Sequence, residues 1–545
     1  MTDFSSRSVV LALAVAVTAC AHAPQRSAPD AAARAARPKL IVQLVIDQFR
    51  YDYPERYGAT WSKGLHRLMT EGAWFTESAY PFAGTVTCAG HASVGTGKAP
   101  AAHGMVLNAW WSRETARRIN CTTDSAVTQI GLPKAVTGGD SARWMLAPTF
   151  AERLLDSQPA GAGRVVSLSL KARSSISLAG RRGDAVVWFD DEGSFATSSA
   201  YPDPAWLRAH VTAHPVERAV GSTWTRLKPE SFYDGTDEGV GERPTRGWTS
   251  RFPHRISDSG AADAEFYDRW QRSPFSDAYL TEMAIAAVDA LALGRRAGTD
   301  YLAVSFSALD LVGHKFGPRS HEVQDVLLHA DVAIGRLLAH LDATVGAGSY
   351  VVALTADHGV GEVPETPGGP GGRLPRTLVT KTIEAVLDKA WGDARYVEDE
   401  IGTNIFLTPA ARERLGTDGD AMTAIRQRIG EIPAVRGLMT AADFAAARGS
   451  GDPLVQSLLL SYHPERSGDL LVLLRRDFTS STDAASHGTY YDYDRRVPVI
   501  LFGSPFKAGR FGGPASPLDI APTWARLTGV ALDQPYGRSL DSAIK

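Results

Sequence analysis

Cysteine is scarce in this chain, with three in 545 residues, at positions 20, 88 and 121. No charge of one sign dominates. The 57 Lys and Arg are matched by 60 Asp and Glu, a formal net charge of -3. That argues against a general nucleic-acid binder, which carries a basic excess. No internal repeat is visible, which excludes a solenoid or an array. The apolar run nearest the N-terminus, VVLALAVAVTA at 9–19, is too short to span a bilayer. What remains is ordinary for a globular protein, 44% hydrophobic and 21% charged. The length allows several domains or one large core with insertions.

The apolar run at 9–19 follows Arg7 and has the length of a signal-peptide core. It ends in Val17-Thr18-Ala19-Cys20. This resembles a bacterial lipobox, with Cys20 as the lipidated first residue of the mature chain. Cleavage nearer Ala21-His22-Ala23 is the alternative. Either way export is expected, to the periplasm or the outer membrane, with a membrane tether through Cys20 in the first case. Residues 1–20 are then a signal segment of the lipoprotein type. Residues 21–37, rich in Ala, Pro and Arg, read as a tether. In an oxidising compartment Cys88 and Cys121 can pair or remain two buried thiols, and the sequence leaves both open.

Regular structure begins at Pro38. KLIVQLVIDQF is a continuous apolar run with an acid, Asp47, at its end, as expected of a buried parallel strand. Similar runs are RVVSLSL before Lys171, AVVWFD at 185–190, YLAVSFSALD ending in Asp310, SYVVALTADHG carrying Asp357 and His358, and RRVPVILFG at 495–503. Helical periodicity falls between them. At 321–342 Val323, Leu327, Ala330, Ile334, Leu337 and Leu341 share one face. Further helices are expected at 279–291 and 519–529. Alternating strands and helices imply an α/β fold, a mostly parallel central sheet with helices on both faces. Two stretches interrupt the alternation, at about 191–274 and 361–483, and are expected to be insertions that cap the site. The catalytic domain is thus 38–545.

Ligands of open parallel sheets bind outside the carboxyl ends of the strands. Four expected strands end in Asp47, Lys171, Asp310 and Asp357, which gathers three carboxylates and one cation at one edge. Like charges buried together repel unless a cation neutralises them, so a metal site is expected. His314 lies four residues after Asp310, His358 directly follows Asp357, and His487 precedes the last strand. Mixed Asp and His ligands suit zinc. His22, His66, His210, His214, His254, His329, His340 and His463 lack such a neighbourhood and read as surface or core. In PFAGTVTCAGHASVGTGKAP, Thr87 stands where a helix begins, a position that favours an anion. A nearby metal would lower its hydroxyl pKa, making it a candidate nucleophile. Helix capping by Thr87, or Thr85 as the nucleophile, are the alternatives at this point.

TCAGHASVGTG followed by HGMVLNAWW resembles the nucleophile region of the alkaline phosphatase superfamily. Within it the chain is most similar to single-chain bacterial alkaline phosphatases with a threonine nucleophile, and to the related nucleotide pyrophosphatases/phosphodiesterases. The resemblance runs from Leu40 to DIAPTWARLTG, and the ordered set Asp47, Thr87, Asp310-x-x-x-His314, Asp357-His358 and His487 carries it. It implies two zinc ions per chain. One would be held by Asp310, His314 and His487, the other by Asp47, Thr87, Asp357 and His358. It implies that Asn108 donates to a phosphate oxygen. It also implies that Lys171 and Arg173, in SLKARSS, match a Lys-x-Arg pair that grips a monoester dianion. Arg offers a fork to two oxygens and Lys a point charge. His91 is read as packing and loop-fixing, and Trp110 and Trp111 as site walls or core.

The expected activity is hydrolysis of small phosphate monoesters through a phosphothreonine, with broad specificity and inorganic phosphate as product, by a monomer with no nucleic-acid partner. A phosphodiesterase or nucleotide pyrophosphatase on the same scaffold is the alternative. A sulfatase is excluded by motif, because Cys88 is followed by Ala89-Gly90-His91 and not by the C-x-P-x-R context of formylglycine. A non-catalytic phosphate-ester-binding lipoprotein would not need a complete ligand set beside an intact nucleophile.

Overall fold

A computed structural model describes residues 37–545 except 133, 191 and 370. The expected signal segment, Cys20 and all but the last tether residue lie outside the described residues. Ten strands form the main sheet. They are β1 (Leu40–Ile46), β2 (Ala73–Ser78), β3 (Gln129–Leu132), β4 (Val165–Ser169), β5 (Ala185–Phe189), β6 (Phe195–Ser198), β7 (Asp300–Phe306), β8 (Tyr350–Thr355), β9 (Val499–Gly503) and β10 (Gly509–Ala515). Their order is β10-β2-β9-β8-β1-β7-β4-β5-β6-β3. The central five, β8-β1-β7-β4-β5, are parallel. β9 runs antiparallel to β8 and β2, and β6 antiparallel to β5 and β3. In register, Val45 of β1 pairs with both Ser305 of β7 and Thr355 of β8, and Ser305 pairs with Ser169 of β4. The four carboxyl ends are therefore level, and whatever follows them converges.

The apolar runs explain why this sheet is buried on both faces. Along β1, Leu40, Val42, Leu44 and Ile46 enter one core cluster while Ile41 and Val45 enter another. β7 and β8 divide in the same way. Six helices matter for the site: α1 (Thr87–Thr96), α2 (Ala172–Ala179), α3 (Pro274–Ala290), α4 (Ala308–Phe316), α5 (His321–Leu341) and α6 (Ile520–Thr528). α3 and α5 cover the first face, while α1, α2 and α6 cover the second. All six apolar positions expected on one face of α5 are buried.

Several elements differ from expectation. Asp310 does not end a strand, since β7 stops at Phe306 and Asp310 lies in the first turn of α4. Asp277 of α3 accepts from the backbone N–H groups of Ser307 and Ala308, which starts that helix. Arg495 closes a short helix, Asp492–Arg495, and the strand begins only at Val499. Helix α3 begins at Pro274, five residues before the expected start. The segment from 191 returns to the main sheet as β6 before leaving it. Farther on, Trp224 of that segment donates to Asp325 of α5 at 2.6 Å, and Trp248 packs near Phe316. Residues 361–483 build a second, antiparallel sheet ordered Val397–Ile401, Asn404–Leu407, Leu470–Leu474, Val435–Thr440. Its own core includes Ile383, Ile405, Ile425, Ile429 and Val472. Among the described residues, no helix is long and apolar enough to cross a membrane.

Candidate active site

The sheet's carboxyl edge brings together the carboxylates and histidines expected to bind metal. Asp47 follows β1, Asp357 and His358 follow β8, and Lys171 is the N-cap of α2 after β4. Asp310 and His314 lie one turn apart on α4, on the same face, with Asp310 Oδ1 3.2 Å from His314 Nε2. His487 reaches in from the loop before β9, its Nε2 3.8 Å from Asp310 Oδ1. His358 Nε2 lies 3.5 Å from Asp47 Oδ1 and 3.2 Å from Asp357 Oδ2.

Three sets have ligand atoms mutually within 4.8 Å: Asp310, His314 and His487; Asp47, Asp310 and His358; and Asp47, His91 and Asp357. The donor atoms fit metal ions on independent grounds. Asp47 Oδ1, Asp357 Oδ2 and His358 Nε2 are buried with no hydrogen-bond partner, and buried polar atoms are rarely left so. His314, His358 and His487 each direct Nδ1 at a backbone carbonyl, those of Ala485, Gly359 and Thr85, all at 2.9 Å. Donation there leaves each Nε2 unprotonated and free to ligate. His91 differs. Its Nδ1 meets the Thr87 carbonyl at 2.9 Å and its Nε2 the Ser305 hydroxyl at 2.8 Å. Both nitrogens are engaged, so His91, whose Nδ1 lies 3.3 Å from Asp357 Oδ2, is less suited to ligate than the other three histidines.

Electrostatics agree. Burial, then the charges of Asp310 and Asp357, push the Asp47 carboxyl well above its ordinary value. Burial also works against ionised Asp310, but Lys171 and His314 prevail and hold it low. The Lys171 ammonium lies 2.6 Å from Asp47 Oδ2 and 2.5 Å from Asp310 Oδ2. One ammonium offsets one of three buried carboxylates, and the remaining negative charge calls for cations.

Thr87 opens α1, whose ten residues are all buried. The Thr85 hydroxyl donates to the Thr489 carbonyl at 2.9 Å, whereas no described partner engages the Thr87 hydroxyl. Small residues let α1 approach. A Cβ on Gly90 would lie 2.1 Å from the Asp357 carbonyl oxygen, and one on Gly95 2.4 Å from that of Ser177. Cys88 and Cys121 form a disulfide, which ties the start of α1 to the hairpin that Asn108 precedes. Asn108 Oδ1 accepts from the Cys88 backbone N–H at 2.8 Å, so its amide NH₂ is turned away from α1. Arg173, in the first turn of α2, has no acidic partner among the described residues, and its Nε is buried and unpaired.

Gln48 was not anticipated. In the left-handed region at φ 69°, it donates from its backbone to Asp357 Oδ1 at 3.2 Å and from Nε2 to Asp310 Oδ1 at 2.7 Å. It thereby orients two of the three carboxylates. The available signal was an amide directly after Asp47 in an apolar run.

Residues 41–495 match the type I phosphodiesterase / nucleotide pyrophosphatase family. The chain belongs to this family. It is 30% identical to alkaline phosphatase PhoV of Synechococcus elongatus over 516 residues, covering 92% of each chain. It is 31% identical to alkaline phosphatase PhoK of Sphingomonas sp over 534 residues, covering 92% of this chain and 91% of the relative. The crystal structure of wild-type alkaline phosphatase PafA matches with a TM-score of 0.87 at 27% identity, over 93% of this chain and 99% of that one. A second PafA structure, with the same TM-score at 26% identity, is of a mutant in which a threonine, an asparagine, a lysine and an arginine are replaced. The lysine and arginine of that mutant are two positions apart.

Proposed function

We propose that the chain is an alkaline phosphatase, a zinc-dependent hydrolase of phosphate monoesters that works through a phosphothreonine at Thr87. The observation that carries the monoester reading is the pair Lys171 and Arg173. It brings two cations, one without any acidic partner, to the edge where three carboxylates and three histidines meet. A monoester dianion carries one more charge than a diester, and paired cations favour it. The four residue types replaced in the PafA mutant are those of Thr87, Asn108, Lys171 and Arg173, in the same order, with the same threonine-to-asparagine spacing.

Asp310, His314 and His487 would hold one zinc, and Asp47, Asp357 and His358 the other, with Thr87 beside it. Zinc bound there supplies Lewis acidity that lowers a hydroxyl pKa and offsets charge on phosphate oxygens. The Thr87 hydroxyl loses its proton to solvent and attacks phosphorus. The Oγ–P bond forms as the ester P–O bond breaks, and the leaving alcohol takes up a proton. Water then attacks the phosphothreonine, its oxygen bonding to phosphorus as the Oγ–P bond breaks; Thr87 Oγ regains a proton and inorganic phosphate leaves. Asn108, Lys171 and Arg173 hold the non-bridging oxygens through both steps. Gln48 fixes the Asp310 and Asp357 carboxylates and His91 fixes the start of α1, so little reorganisation accompanies the chemistry.

Every residue named comes from one chain, so a monomer suffices. Export is supported by the apolar run at 9–19 and by a disulfide that an oxidising compartment permits, and a lipid anchor at Cys20 by the lipobox-like Val17-Thr18-Ala19-Cys20. The test compares p-nitrophenyl phosphate with its bis ester, before and after chelation and with zinc restored. The monoester should be strongly preferred, and both activities should vanish on chelation. A preference for the diester would favour the phosphodiesterase reading that the family description includes.

A further inference from the structure

A cleft of about 790 Å³ lies between the 361–483 segment and the loop that leads into Thr87. One wall comes from the main domain, with Val86 directly before Thr87, Val106 shortly before Asn108, and His487. The opposite wall comes from the second sheet. Along its strand Leu470–Leu474, Leu470, Val472 and Leu474 enter the core of that sheet while Leu471 and Leu473 face out. The outward face of such a strand is normally polar. Here both positions are leucine and both line the cleft. Tyr462 and Tyr490 also line it, and Tyr490 is fixed by donating to the Leu474 carbonyl at 2.9 Å. The two walls are joined at their base, where Ser461 accepts from the backbone N–H groups of Ala83 and Gly84 at 2.8 and 2.9 Å.

His487 belongs to the set with Asp310 and His314. Thr87 stands beside the other set, and in an in-line displacement the leaving oxygen departs opposite the attacking one, so the set with His487 stands on the leaving-oxygen side. A group attached to that oxygen would extend past His487 into the cleft. A phosphoryl group with a small alcohol needs little of this volume, which lies in the range of pockets that enclose drug-sized ligands. The leucine side chains and tyrosine rings favour a flat ring system, and charged residues that also line the cleft, among them Arg118, Arg376, Asp399 and Asp477, leave room for polar substituents on it. We infer that the cleft is a leaving-group pocket and that the enzyme selects phosphate monoesters of bulky, largely apolar ring alcohols over those of small alkyl alcohols. This rests on the monoesterase reading and goes beyond it, because phosphoryl contacts alone would give no such preference.

The test is steady-state kinetics with 2-naphthyl phosphate and ethyl phosphate on the zinc-loaded enzyme, wild type against Leu473→Trp, which fills the cleft. Leu473→Ala, which removes apolar contact at less risk to folding, is the second variant. Comparing variant with wild type for each substrate cancels the intrinsic reactivity of the ester. Leu473→Trp should lower kcat/KM for 2-naphthyl phosphate by roughly tenfold or more and leave ethyl phosphate near wild type, with inhibition by inorganic phosphate unchanged. Leu473→Ala should give a smaller loss in the same direction. Equal effects on the two esters in both variants would overturn the pocket while leaving the monoesterase standing. A wild-type enzyme that hydrolyses neither ester would overturn the monoesterase reading, and the pocket with it.

Discussion

Gly90→Ala adds one methyl group in the first half of α1 and changes no polar side chain of the site. Its Cβ would lie 2.1 Å from the Asp357 carbonyl oxygen and 2.7 Å from the Asp357 Cα. These are backbone atoms at the end of a central strand, so no side chain can rotate out of the way. Reaching 3.0 Å requires α1 and the β8 end to separate by about 0.9 Å, and a misplacement of that order costs roughly 10²-fold in rate. Thr87 begins the helix that must move, and Asp357 is the ligand candidate it moves from. The overpacking itself should cost about 1–3 kcal/mol, which leaves a domain of this size folded. The assay is kcat for p-nitrophenyl phosphate, with zinc content and melting temperature measured on the same sample. We expect a folded, zinc-containing protein with turnover reduced about a hundredfold. Wild-type turnover would refute the claim that the distance between α1 and Asp357 sets the geometry of the nucleophile.

Other consequences can be checked separately. Replacing Lys171 and Arg173 together by Ala should depress monoester kcat/KM far more than diester kcat/KM, and equal losses would deny them a role in monoester recognition. Replacing Cys88 and Cys121 by Ser removes a link across 33 residues of chain. It should cost about 3 kcal/mol in denaturant unfolding, and an unchanged midpoint would show that packing alone holds the hairpin to α1. Burial raises the Asp300 carboxyl to about 6, against donation from Gly294 and Arg164. Its contribution to stability is therefore present in full below its ordinary 3.8 and lost as pH rises through about 6. Asp300→Asn does not titrate, so its melting temperature should gain on wild type between pH 4 and pH 7. A constant difference across that range would show that Asp300 is not perturbed.

The central strands were legible because they are buried on both faces, and their continuous apolar runs leave little else for those segments to do. The edges were not. β3, β6 and β10 are short or glycine-rich, and their pairing depends on partners far away in the chain that no local pattern encodes. The antiparallel direction of β9 is hidden for the same reason, since an apolar run does not state which way it points. Asp310 was placed at a strand end because apolar residues continue past Phe306. Asp277, more than 20 residues upstream, turns the chain into α4 instead. The metal-ligand candidates were readable as types and spacings. Gln48 was not, because its importance comes from a left-handed backbone and from two carboxylates contributed by other strands. Thr85 competed with Thr87 for the role of nucleophile in the sequence, and the fold commits the Thr85 hydroxyl to the Thr489 carbonyl.

The central claim is a covalent phosphothreonine at Thr87. Rapid acid quenching of the zinc-loaded enzyme during turnover of a phosphate monoester, followed by peptide mass spectrometry, tests it most directly. The account predicts one phosphoryl group on Thr87, none on Thr85, and no labelling or turnover in Thr87→Ala with its zinc still bound. Phosphate on another residue, or full turnover by Thr87→Ala, would contradict it.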